Sequence, residues 1–264
     1  EDYLRILRFF RFHGLFGRGP LDQDAKAACR AKAKQLETIS SERIRDELLK
    51  ILLVTDPAQV CVHMRDEKVL GQILPEAGDI NHLRLVNWLE TRAVKVDKVE
   101  PDAIRHLAAL LNTDRVGVER VADQLKLSNV QRERLTALSA PEETINANKG
   151  EASEKRAIRR LGGGRVRDLA LLTWAEELKG APRLPRHRTE AYIRLLERCA
   201  AWIPPEFPIS GTDVLALGLQ QGPLVGTILR RVESWWENTA YEANRQECLD
   251  RLMRVVRETE GDHR

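Results

Sequence analysis

Apolar residues recur every three to four positions along almost the whole chain, and runs of strict apolar/polar alternation are scarce. That period places apolar side chains on one helix face, whereas a half-buried strand needs a period of two. The pattern predicts an all-α chain. Helices are expected over about 2–15, 22–36, 41–54, 57–65, 79–93, 101–111, 115–126, 128–138, 151–161, 165–179, 186–201, 211–217, 223–243 and 245–258. Polar residues before an apolar stripe mark two starts: Ser40-Ser41-Glu42 ahead of Ile44, Leu48, Leu49 and Leu52, and Gly211-Thr212-Asp213 ahead of Val214 and Leu215.

Proline and glycine clusters punctuate the pattern at Pro75-Glu76-Ala77-Gly78, at Pro182-Arg183-Leu184-Pro185 and at Ile203-Pro204-Pro205-Glu206-Phe207-Pro208. They suggest three helical lobes, at 1–66, 67–203 and 204–264, joined in series as an elongated assembly.

The first helix has an unusual polar row. In EDYLRILRFFRF, Asp2, Arg5, Arg8 and Arg11 stand three apart, with apolar residues filling the remainder. Residues three apart form a slanting ridge on a helix, so one carboxylate and three guanidiniums would lie one above another. Carboxylate acceptors and a planar fork of donors can match the edge of a nucleobase, with further arginines left for phosphates. Pairing of Asp2 with Arg5 along the helix is the equally weighted structural alternative.

Composition changes the picture little. The net charge is +3, from 43 basic and 40 acidic residues, so local patterning matters more than the total. Residues 151–200 carry twelve basic against seven acidic residues, a patch able to hold a phosphate backbone or to form a solvated helix face. Cys29, Cys61, Cys199 and Cys248 form no CxxC pair, which argues against zinc and against disulfide stapling and fits a reducing cytoplasm. No apolar run approaches the roughly 18 residues of a membrane span.

EDxxR at the head of an apolar helix resembles the nucleotide-selecting motif of the bacterial tRNA nucleotidyltransferases (CCA-adding enzymes) and the related bacterial poly(A) polymerases. Two further segments resemble the same family. Residues 39–48, ISSERIRDEL, are similar to its S-x-E-R-I-x-x-E-L segment, and FPISGTDVLALGLQQGPLVGTILRRVESWW is similar to its C-terminal glycine-rich segment. There Gly222-Pro223 would open a long helix, while Gly218 and Gly226 would permit tight turning or close packing. Thr212 and Gln221 depart from the commoner Arg and Pro of that segment.

The resemblance implies roles. Asp2 and Arg5 would read the Watson–Crick edge of CTP or ATP, with Arg8 and Arg11 where the family places further nucleotide-contacting arginines. Glu1, Glu42, Arg43 and Glu47 would support them. The three lobes become a neck, a body and a tail gripping the acceptor and T arms of tRNA, with Arg165, Arg167, Arg183 and Arg186 as candidate RNA contacts. The family's Mg²⁺ ions sit on carboxylates of a catalytic head that precedes EDxxR. The chain starts after that point, so it would select nucleotides and hold tRNA but add none by itself. A poly(A) polymerase fragment and a non-catalytic helical RNA-binding protein are the alternatives.

One stretch imitates the head. Gly163-Gly164-Arg165-Val166-Arg167-Asp168 spells the GGxVRD of the family's phosphate-holding turn. That turn should follow a strand and be trailed within about twenty residues by a D-x-D metal pair. Here a helical segment precedes it and LALLTWA follows, so Gly162-Gly163-Gly164 reads as an inter-helix turn. The six histidines are scattered and none is followed by Asp; His82 and His106 read as packed or surface residues. Trp235-Trp236 could stack on RNA bases, but packing of at least one of them in an interface between lobes is the favoured reading.

Overall fold

A computed structural model describes residues 2–145, 147, 150–203, 205–239 and 241–261. Among them the fold is all-α. The helices are α1 (Arg5–Phe16), α2 (Gln23–Lys32), α3 (Ser41–Ile51), α4 (Pro57–Asp66), α5 (Leu70–Ile73), α6 (Ile80–Trp88), α7 (Ala103–Leu110) and α8 (Arg115–Gln124). They continue as α9 (Asn129–Ser139), α10 (Glu151–Leu161), α11 (Gly163–Gly180), α12 (Arg186–Ala201), α13 (Gly211–Leu215), α14 (Pro223–Asn238) and α15 (Arg245–Gly261). A 3-10 segment, Ala33–Thr38, follows α2, and a π turn, Leu89–Ala93, follows α6. The only β feature among the described residues is an isolated bridge between Ala77 and Leu111. No described helix is long and apolar enough to cross a membrane.

Aspartate caps start five of these helices. Asp22, Asp56, Asp79, Asp102 and Asp114 each accept a backbone N–H from the first turn, satisfying donors that the helix itself leaves open. At the two starts marked by sequence the details differ. Ser40 caps α3 by position but makes no side-chain bond, whereas Ser210, one residue before the expected start, forms a reciprocal capping box with Asp213.

The chain divides into two compact units. One comprises Glu1–Asn148 and Arg167–Ala200, the other Lys149–Val166 and Ala201–Arg264. In the first, α1 packs on α3 and α4, burying Ile6, Leu7 and Phe10 against a floor that includes Leu48, Ile51, Ala58 and Cys61. α7 is enclosed on every side: each residue from Ile104 to Leu110 is buried. On α11 and α12, Trp174 stacks face to face on Tyr192 with centroids 5.0 Å apart.

The second unit is built on α14 and α15, with α13 beside α14. Its core holds Val214, Ile228, Val232, Trp236, Cys248, Leu252 and Val255. Trp236 is buried and its indole N–H donates to the Ala243 carbonyl at 2.9 Å, so one of the adjacent tryptophans packs, within this unit's own core. Pro223 occupies the first turn of α14, as the Gly-Pro pair suggested. Gly218 has φ +91°, the left-handed region that favours glycine, so it serves the turn. Gly226 is not a close-packing position: a Cβ there would meet nothing within 4 Å.

Candidate nucleic-acid interface

The polar row expected on the first helix is only partly a helical ridge. Residues 2–4 form a turn and α1 begins at Arg5, whose N–H donates to the Asp2 carbonyl at 3.1 Å. Asp2 stands just ahead of the helix, where its Oδ1 accepts the Leu4 N–H at 3.3 Å. It does not pair with Arg5. Instead Arg43 of α3 donates to both Asp2 carboxylate oxygens, at 3.0 Å each. Desolvation works to raise the Asp2 pKa, but the Leu4 N–H and the Arg43 guanidinium outweigh it, and the carboxyl is held below its ordinary value.

The three arginines of the row part company. Arg5 and Arg8 are exposed and hold no side-chain hydrogen bond or ion pair among the described residues. Arg11 is largely buried: its Nε donates to Glu47 Oε1 at 2.5 Å, and its guanidinium covers the Phe12 ring at 4.4 Å from the centroid. Glu1 lies outside the described residues.

α3 therefore braces α1 at two heights, through Arg43 at the turn and Glu47 further along. α3 is itself held on its far side. Glu42 accepts from Lys126 Nζ at 2.9 Å, and Arg45 donates to the Lys126 carbonyl at 2.8 Å, at the end of α8. Lys126 has φ +48°, the left-handed conformation in which helices commonly end.

The downstream arginines are less alike than the sequence suggests. Arg165 and Arg183 are exposed with no side-chain partner among the described residues. Arg186 is exposed and pairs with Glu190 one turn on, at 2.7 Å. Arg167 is only partly exposed, 3.6 Å from Asp168 Oδ1, with its Nε buried and lacking a hydrogen-bond partner.

The GGxVRD imitation is helical. Only Gly162, at φ +81°, forms the turn; Gly163 and Gly164 already belong to α11. Asp168 is buried in an ion-pair network and offers nothing to a metal. Asp22-Gln23-Asp24 does spell D-x-D, but it lies far upstream of the glycines, both residues are exposed, and Asp22 caps α2 through the Ala25 N–H at 2.8 Å. Among the described residues one other trio, Asp79, His82 and Glu176, has ligand-like spacing. Lys179 already donates to both its carboxylates, so an ammonium stands where a cation would go. Neither of these two sets fits a Mg²⁺ site.

The network around Asp168 was not anticipated. Arg105, almost wholly enclosed on α7, donates at 2.5 Å to Glu90 Oε1, to Asp168 Oδ1 and to the Glu100 carbonyl. Arg134 of α9 bonds Asp168 Oδ2 at 2.7 Å and Asp102 Oδ2 at 2.9 Å. His106 bridges Glu90 Oε2 and the Leu52 carbonyl at 2.6 Å each, and Leu52 is the C-cap of α3. The helix that braces α1 is thus fixed to the buried network at its other end. Burial alone would lower the Arg105 pKa, but the Glu90 and Asp168 charges overcome that and raise it. A signal was present: a helix apolar all round is buried, so an Arg-His pair within it must be partnered.

Acid should loosen this unit. For Asp102 desolvation acts upward but is outweighed by the Arg105 N–H and by Arg134; for Asp79 it is outweighed by Lys179 and the His82 N–H, so both pKa values are depressed. Their stabilisation is complete above the unfolded carboxylate value of about 4 and is lost as pH falls through the lower folded values. These two carboxylates should leave urea midpoints unchanged from pH 7 to about 5 and lower them below about 4; a profile flat from pH 4 to pH 2 would contradict the assignment.

Comparison with known proteins gives three results. Residues 20–80 match the family described as "Probable RNA and SrmB- binding site of polymerase A". The chain is 30% identical over 262 residues to the mitochondrial CCA tRNA nucleotidyltransferase 1 of Danio rerio, covering 96% of this chain and 56% of that protein. It is 28% identical over 259 residues to the Homo sapiens protein of the same name, covering 97% and 56%. The chain thus spans about half the length of the curated relatives it matches. A solved structure of the Thermotoga maritima CCA-adding enzyme complexed with tRNA superposes with a TM-score of 0.46 at 18% identity, over 97% of this chain and 61% of that one.

Proposed function

We propose that the chain, which is similar to CCA tRNA nucleotidyltransferases over nearly its whole length, forms the nucleotide-selecting and tRNA-holding part of such an enzyme. We read 1–66 as the neck, 67–203 as the body and 204–264 as the tail. Asp2 and Arg5 read the base of CTP or ATP. Arg8 lies one turn further on, and Arg11, oriented by Glu47, completes the row. Arg43 and Glu47 position the readers, Glu42 anchors α3 through Lys126, and Glu1 belongs to the same motif. Arg165, Arg167, Arg183 and Arg186 are the RNA contacts of this reading, directed at phosphates of the acceptor and T arms.

The observation that carries it is the double bracing of α1 by α3. Arg43 holds Asp2 and Glu47 holds Arg11, while Arg5 and Arg8 have no side-chain partner among the described residues and can meet a ligand. Asp2 and Arg43 are both solvent-accessible, so an incoming base can share or displace that pair at little cost. The chemical step, attack of a terminal 3′-hydroxyl on the α-phosphate of CTP or ATP, requires Mg²⁺-binding carboxylates, which this reading assigns to a catalytic head preceding Glu1. The chain by itself is expected to bind tRNA and to incorporate no labelled CTP in the presence of Mg²⁺.

The polymerase A match is confined to residues 20–80, whereas the CCA-adding relatives align over nearly the full chain, which favours tRNA over poly(A) synthesis. Four buried cysteines without a CxxC pair fit a reducing compartment, cytoplasmic on this reading, although both relatives carry a mitochondrial name.

The test is base selection. In a protein that joins a catalytic head to this chain, Asp2→Ala should cut CTP and ATP incorporation on the order of 100-fold while tRNA binding is retained, because removing a base-edge partner leaves polar groups unmatched. Unchanged selection among CTP, ATP, UTP and GTP would dismiss Asp2 as a reader.

A further inference from the structure

The outer face of α1 does not end with the arginines. Arg5, Arg8, Phe12, Leu15 and Phe16 fall at i, i+3, i+7, i+10 and i+11, the spacing of one helix face, and all five are exposed. Phe12 is 47% exposed, Leu15 44% and Phe16 74%, large fractions for apolar side chains on a helix whose inner face is fully packed. Phe12 and Phe16 stack on each other with centroids 6.3 Å apart, and the Arg11 guanidinium, tied to Glu47, sits over Phe12. These contacts make a layered stack that begins on a buried carboxylate and ends in the open ring of Phe16. Arg18, just past the helix, is exposed and holds no side-chain partner among the described residues.

We propose that this face is a platform for the unpaired 3′ end of an RNA, with its bases stacked on Phe16 and Phe12 and its phosphates drawn to the flanking arginines. The inference rests on the base-reading assignment above and extends it to the acceptor strand. Arg8 and Arg18, without side-chain partners among the described residues, supply the charge complement of a phosphate backbone, and open aromatic rings between them supply the sequence-tolerant stacking that single strands use. From Arg5 to Phe16 the face runs about 16 Å, room for a handful of nucleotides at roughly 3.4 Å per stacked step. A strand laid there ends beside Asp2 and Arg5, which is where its terminal hydroxyl must lie to meet a selected nucleotide. The family matched at residues 20–80 does not include this helix.

The test compares two labelled hairpin RNAs by fluorescence anisotropy with the 264-residue chain. One carries an unpaired four-nucleotide 3′ tail and the other is blunt. The tail should strengthen binding. Phe16→Ala, and Phe12→Ala with Phe16→Ala, should weaken binding of the tailed RNA about ten-fold and leave the blunt one unchanged. Phe16→Trp should restore it, with a new indole emission quenched by the tailed RNA. Phe16 is mostly exposed, so Phe16→Ala should keep the parent's unfolding midpoint.

Equal binding of tailed and blunt RNA, or an alanine variant that keeps the full gain from the tail, overturns the platform and leaves the base-reading assignment standing. A parent chain that doubles in mass and returns to monomer on Phe16→Ala also overturns it, because a second copy then covers the face. Failure to bind either RNA overturns both.

Discussion

Arg105→Ala should lower the unfolding free energy by about 3–5 kcal/mol, read as a fall in the urea midpoint followed by circular dichroism. The size comes from what is left behind. Arg105 is enclosed on α7 and donates to Glu90, to Asp168 and to the Glu100 carbonyl. Removing the guanidinium takes a charged partner from each of two buried carboxylates, and an under-compensated buried charge costs far more than the pair contributed. Arg134 still reaches Asp168, so Asp168 keeps one partner; Glu90 keeps only His106.

Arg105→Lys separates charge from geometry. A lysine keeps the charge but cannot serve three acceptors lying in different directions, so it should recover only part of the loss. Full recovery would mean that charge, and not the fork of donors, is what the site needs. Because His106 joins Glu90 to the end of α3, the loosened network should also weaken the bracing of α1. A variant that loses stability while CTP and ATP selection stays intact would show that the two are uncoupled.

The helical pattern was legible because apolar period reports directly on one-sided burial. α10 and α12 have the limits that their apolar stripes and flanking breakers suggested. Local deviations were not. The Ala33–Thr38 segment and the Leu89–Ala93 turn keep Ala33, Leu36 and Leu89 buried while changing the hydrogen-bond ladder, and a hydrophobic repeat cannot distinguish three, four or five residues per bond. The four-residue α5 is too short to show a period at all.

The candidate site shows the same limit on a larger scale. Its residues could be named from two short segments, with those of 39–48 as supports of the first helix, but the individual pairings could not. Asp2 has Arg5 nearby in sequence and takes Arg43, forty-one residues away; Arg11 takes Glu47, and Arg45 takes the carbonyl of Lys126. Such pairings depend on which helices pack together, and side-chain type alone carries no record of that. The Phe12–Leu15–Phe16 face was hidden for a related reason. In the sequence those residues look like part of the core stripe, and only the packing of α1 shows that the core is complete without them.

Arg11→Ala is expected to destabilise the first unit by about 3–5 kcal/mol, and Glu47→Ala by clearly less, although the two residues form one ion pair. The asymmetry follows from where each side chain sits. Glu47 is 5% exposed at the foot of a short stem, so without Arg11 its carboxylate has neither partner nor water. Arg11 is 15% exposed on a long stem, so without Glu47 its guanidinium can swing outward into solvent. Either change also removes the fixed cation over Phe12, and with it the inner layer of the stack that ends in Phe16. Urea midpoints of both single variants and the double variant give the coupling directly. Equal losses in the two singles would mean that Arg11 cannot reach water, and a coupling near zero would mean that the pair does not hold α1 on α3.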